Sequence, residues 1–107
     1  MPFLKDMPFQ FIVQDIFDIA DRPGPVVVGI IEEGTLRVND QLLLVGDDKT
    51  YSVTATAIDK FQNEGLAFAE AGPDDVGIEL TGISFTDVKK GFLLRKSAAE
   101  QDAAASP

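Results

Sequence analysis

Neither cysteine nor histidine occurs in the 107 residues, and each absence removes a kind of chemistry. Without thiols there are no disulfides and no thiolate metal sites, and a reducing compartment suits the chain. Without imidazole or thiol the common nucleophile–base pairs cannot be assembled. Paired acids remain at Asp47–Asp48 and Asp74–Asp75, but both pairs fall in turn-like segments, where adjacent acids ordinarily shape the turn. Asp15, Asp18 and Asp21 recur every third residue, whereas a calcium loop places its ligands every second residue around a glycine turn. The expectation is a protein that is not an enzyme and uses no cofactor and no metal.

Positive charge is also scarce. Nine Lys and Arg stand against 18 Asp and Glu, for a formal charge of −9. Non-specific nucleic-acid affinity comes mainly from Lys and Arg on phosphates, so this balance argues against a nucleic-acid partner. The basic cluster Lys89, Lys90, Arg95 and Lys96 reads as a solvated face. No long apolar run is present either. "MPFLKDMPFQFIVQD" carries charges inside any would-be span and has no small-residue cleavage pattern, so neither a signal peptide nor a membrane span is expected, and the protein is assigned to the cytoplasm.

What the chain does have is β-pattern. Segments 9–17, 26–33, 41–45, 51–58, 76–82 and 92–95 are rich in alternating or β-branched apolar residues, and Gly, Pro, Asn and Asp separate them. Asp15 interrupts the apolar side formed by Phe9, Phe11, Val13 and Phe17, a polar position that needs an explanation. In "VGIELTG" the inward residues are Val76, Ile78 and Leu80, with Gly77, Glu79 and Thr81 outward. Gly29 and Gly77 lie inside strands, which suggests bends or close backbone approach. Six such strands without an ordinary helix predict an all-β antiparallel barrel or sandwich. One domain over 1–96 would bury roughly 65% of the surface its unfolded chain exposes. Residues 97–107, "SAAEQDAAASP", form a small-residue polar tail too short to stand as an isolated helix, and fraying or disorder is expected there.

Gly34, Leu36, Val38 and Asp40 in "EEGTLRVNDQLLLVG", with "FIVQDIF", "AGPDDVGIELTGI" and "DVKKGFLL" in order around them, resemble the second domain of elongation factor Tu and related translation GTPases over about residues 8–96. The resemblance implies a six-stranded closed antiparallel β-barrel. Asn39 stands where the family usually has Gly, and Asn is the non-Gly residue that best tolerates the left-handed backbone of a tight turn. No phosphate-cradling loop is present in these residues, since "GDDKT" lacks the second Gly and sets Asp47 and Asp48 where phosphates would be repelled. The expectation is a barrel without the family's GTPase and third domains. The initiating Met and the small-residue tail favour a stand-alone barrel over an excised one.

In the family, this barrel helps hold the aminoacylated end of tRNA through an acidic Glu-Asp-x-Phe motif and neighbouring strands. Here the motif is Gln14-Asp15-Ile16-Phe17, Val28 replaces a Thr, Asp59 and Asp75 replace Glu and Asn, and Gln62 replaces a basic residue after Phe61. The implied site is thus a repurposed ligand pocket at Asp15, Phe17, Val28, Asp59, Phe61 and Asp75, whose carboxylates and aromatic faces suit a Lys or Arg better than an RNA end. A plainer reading has Asp15 satisfying backbone groups at a turn or bulge and Phe17 in the core. Two other groups are candidate partner contacts: Phe3, Leu4 and Met7 in an N-terminal arm, and Leu66 and Phe68 in the "EGLAFAEA" loop, unless these fold back onto the barrel. The expected function is a non-catalytic binding module for a protein partner, as a monomer or weak homodimer, with an RNA- or ribosome-associated accessory role as the alternative.

Overall fold

In a computed structural model, residues 9–60 and 63–96 are described, so the expectations for Phe3, Leu4, Met7, Phe61 and the 97–107 tail lie outside the described residues. Among the described residues there are eight strands: β1 Gln10–Phe17, β2 Val26–Glu33, β3 Thr35–Arg37, β4 Gln41–Val45, β5 Thr50–Lys60, β6 Phe68–Glu70, β7 Val76–Thr81 and β8 Leu93–Lys96. One turn of 3-10 helix, Phe85–Asp87, joins the last two. Six strands close a barrel in the order β1-β2-β7-β5-β4-β8, with β8 paired back onto β1 and every pairing antiparallel. The expected all-β closed barrel is the fold observed. No helix among the described residues is long and apolar enough to cross a membrane.

Period-two patterning builds the core. Phe11, Val27, Ile31, Leu42, Leu44, Val53, Ile78, Leu80 and Leu94 point inward and are almost fully buried. Three register shifts interrupt that alternation; the one between Gln10 and Phe11, where Glu32 of β2 is the extra residue, lies at the strand end, and the other two lie within the wall. The register of β1 against β2 slips between Val13 and Asp15, so Gln14 is the extra residue. The slip turns Asp15 outward and Ile16 toward the core, which accounts for the polar interruption in the strand. It also turns Phe17 out to 47% exposure, so Phe17 is not a core residue. A second slip, between Ala55 and Ala57, makes Thr56 the extra residue of β5.

The strands β3 and β6 form a separate two-stranded ribbon. Its central residues, Leu36 and Ala69, are buried in the hydrophobic core. The "EGLAFAEA" segment is therefore not all loop. Three strand residues are too few for alternation to show, and what marks β6 is its partner 33 residues away, Leu36, a contact that tertiary packing supplies.

Asn39 has φ +75°, the left-handed turn position expected of it, and its N–H donates to the Ala55 carbonyl at 2.6 Å. Asn39→Gly is expected to leave the urea midpoint unchanged or raise it. A β-branched Asn39→Val should cost about 1–2 kcal/mol, read as a lower midpoint in the same titration.

Candidate functional site

Register brings four of the implied site positions onto one strip of the outer wall. Asp15 pairs with Val28, Val28 with Gly77 and Gly77 with Asp59, a continuous row across β1, β2, β7 and β5. Phe17, Val26, Glu79 and Ala57 make the next row. Asp75 precedes β7 and is exposed, one residue beyond the strand end. Phe61 lies outside the described residues.

The wall already holds a cation of its own. The loop between β1 and β2 folds over β7, with the Leu80 N–H donating to the Pro25 carbonyl at 2.9 Å and Gly24 packed against the Leu80 backbone. From this loop Arg22 donates to Glu79 Oε2 at 3.2 Å and to Asp59 Oδ2 at 3.5 Å. Thr56 Oγ1 donates to Glu79 Oε1 at 2.8 Å, and the Gly65 N–H donates to Asp59 Oδ1 at 2.8 Å. Glu79 thereby faces outward, as its parity requires, yet is only 6% exposed. Its hydrogen bond, then the attraction of Glu79 and Asp59 against partial desolvation, holds the Arg22 guanidinium above its ordinary pKa.

Asp15 stands apart from this cluster. Its carboxylate is 3.7 Å from Lys90 Nζ, and both side chains are largely exposed. The basic cluster is likewise divided: Lys96 meets Asp40 at 3.3 Å and lies 5.8 Å from the centre of the Phe9 ring, while Lys90 serves Asp15. Two of its four charges are thus engaged with acids.

Sequence reasoning missed Arg22, Glu79 and Thr56. Glu79 alone carried a signal: an acid flanked by Ile78 and Leu80 in the middle of a strand needs either water or a partner, and the loop leaves it little water. Arg22 in "DRPGP" offers no such hint, because its reach depends on how the loop folds back.

The second candidate surface lies at the ribbon. A groove of about 480 Å³ runs beside β6, lined by Lys60, Leu66, Phe68, Glu70 and Asp74 among others. Leu66 is half-buried against the core, whereas Phe68 is 49% exposed with the Arg37 guanidinium 5.7 Å from its ring centre. Of the two residues of this segment expected in partner contact, Phe68 stands in the open and Leu66 lines the groove half-buried.

No family model matches the chain. Among solved structures it is similar to translation elongation factor SelB from Methanococcus maripaludis in its apo form, at 26% identity and a TM-score of 0.74. The match covers 86% of this chain and 19% of that one, so the chain spans about a fifth of the elongation factor's length. The barrel is of the elongation factor Tu domain 2 type, a translation-protein fold.

Proposed function

We propose that this barrel is a non-catalytic binding module that makes protein–protein contact through the ribbon face at Leu66 and Phe68. The observation that carries the reading is the contrast between two surfaces. The wall implied by the resemblance is spanned by the chain's own Arg22, whereas the groove beside Phe68 is open and an aromatic ring stands half-exposed at its edge. A role within the translation machinery of the cytoplasm agrees with the likeness to SelB. No cofactor enters this function.

The test is affinity capture from native lysate, followed by titration of the purified partner against the parent and Phe68→Ser. Loss of an aromatic anchor should cost about 2 kcal/mol, roughly thirtyfold in Kd, without a change in melting temperature. Equal affinity would move the contact elsewhere. The alternative role at RNA or the ribosome is supported by the same likeness, and co-sedimentation with ribosomes that is lost at high salt would replace the present reading.

A further inference from the structure

Among the described residues, the backbone of the ribbon is partly closed on its β3 edge and open on its β6 edge. The Val38 N–H donates to the Ala67 carbonyl at 2.9 Å and the Ala71 N–H to the Gly34 carbonyl at 3.0 Å. These bonds set the phase of the ladder. Leu36–Ala69 is a hydrogen-bonded pair, and Thr35–Glu70 and Arg37–Phe68 are the intervening pairs, whose main-chain groups point away from each other. On the β3 side, Asp40 closes the edge at Arg37: its carboxylate accepts from the Arg37 N–H at 2.8 Å and its own N–H donates to the Arg37 carbonyl at 3.1 Å. On the β6 side, the N–H and C=O groups of Phe68 and Glu70 are directed into the groove, and among the described residues no backbone group bonds them there. An edge left in this state is a template for another strand.

We infer that the β6 edge takes up an extended, lysine- or arginine-bearing segment of a partner protein as an added β-strand. This rests on the binding-module reading and specifies its mode. The charge around the edge selects the occupant. Glu70 and Asp74 line the groove with Lys60, Glu64 and Asp75 adjoin that lining in sequence, and Arg37 stands over the Phe68 ring, on a chain of net charge −9. Residues of an added strand alternate between two faces. One set lies beside buried Ala69 and half-buried Leu66, where small apolar side chains fit. The other set lies beside Phe68 and Glu70, where a Lys or Arg finds the Glu70 carboxylate and the edge of a ring that already carries Arg37 on one face. Main-chain bonds give such a complex its affinity, and the alternating side chains give it selectivity.

The test uses a fluorescein-labelled heptapeptide of alternating Lys and Val, titrated by anisotropy, with amide hydrogen exchange read on the protein. Saturable binding that weakens with salt, slowed exchange at Phe68 and Glu70, and at least a tenfold loss for the Glu–Val counterpart are expected. Backbone N-methylation separates strand addition from side-chain docking. Successive N–H groups of a strand point to opposite sides, so methylation of one set, Lys or Val, should abolish binding while methylation of the other leaves it intact. On the protein, Glu70→Pro removes a groove-facing N–H without touching the β3 ladder and should abolish binding, whereas Glu70→Gln should only weaken it. Equal binding by both methylated peptides, protection confined to the Asp59 and Phe17 wall, or no saturation at millimolar peptide would overturn strand addition. If the peptide fails while Phe68→Ser still weakens a captured partner, strand addition falls and the binding-module reading stands; if Phe68→Ser is also silent, both fall.

Discussion

Gly29→Ala is expected to lower the stability of the barrel by about 3 kcal/mol or to prevent its folding. A Cβ at this position would land on the Ile12 carbonyl oxygen and against the tip of the Phe11 ring. Neither neighbour can give way easily. Ile12 is fixed between β2 and β8, through Ile30 and Leu93, and Phe11 is fully buried. A closed barrel has no free edge along which the strands could slide apart to relieve the contact. Gly77→Ala is the matched control. Its Cβ would meet only Val26 at 3.7 Å and the Asp59 carbonyl at 3.8 Å, ordinary van der Waals contacts, and the loss of unfolded-state freedom should make the change neutral or stabilising by up to ~1 kcal/mol. In guanidinium titrations the Gly29→Ala midpoint should therefore fall well below the parent's, while that of Gly77→Ala matches or exceeds it. Coincident midpoints would mean that β1 and β2 do not approach as described. The two glycines look alike in the sequence, and only Gly29 is a place of close backbone approach.

Arg22→Ala should cost about 2 kcal/mol, because it leaves the shielded Glu79 carboxylate without its cation. The figure is set below that for a fully buried pair because the Arg22 side chain is 30% exposed and water can partly replace it. Glu79→Leu should be milder. Arg22 keeps Asp59, and Thr56 Oγ1 keeps the residue-79 carbonyl at 3.3 Å. With both changes together no unpaired carboxylate remains, so the double variant should be more stable than Arg22→Ala alone, with a coupling of at least ~1 kcal/mol in a double-mutant cycle. Additive effects would show that the pair is merely adjacent. The pH dependence has a definite sign. A guanidinium whose folded pKa is raised contributes in full below its unfolded pKa and loses that contribution only as pH rises through the folded value. The Arg22 share of stability is therefore constant across the neutral range and disappears only in strong alkali.

Strand positions were readable because each barrel strand carries its own alternating or β-branched pattern, and the expected spans agree with the observed ones to within two residues. Asn39 was readable because its backbone need is local. What the pattern could not carry were the bulges at Gln14 and Thr56, where one added residue reverses which side faces the core. Asp15 betrayed the first by breaking the stripe, but Ala57 left no trace of the second, since a small residue is at home on either face. The outer wall was legible only as a set of positions brought together by register. Its occupant, Arg22, depends on a loop whose course follows from the Pro25–Leu80 backbone bond, a contact between residues 55 apart in sequence. The ribbon face was legible in part: Phe68 was singled out, whereas the open edge beneath it is a property of hydrogen-bond phase that side chains do not encode.

The pairing of β8 with β1 brings Gln10 directly opposite Arg95. Chain entry and chain exit are thus neighbours, about 5 Å apart across one ladder rung, at the same rim of the barrel. A body entered and left at one doorway can be set into a surface loop of a host protein without prying that loop open. The β2–β3 corner at Gly34, which accepts from the first residue after β6, also lies beyond Glu33 at this rim, so a host joined there would stand next to the ribbon and determine how freely a guest strand reaches it.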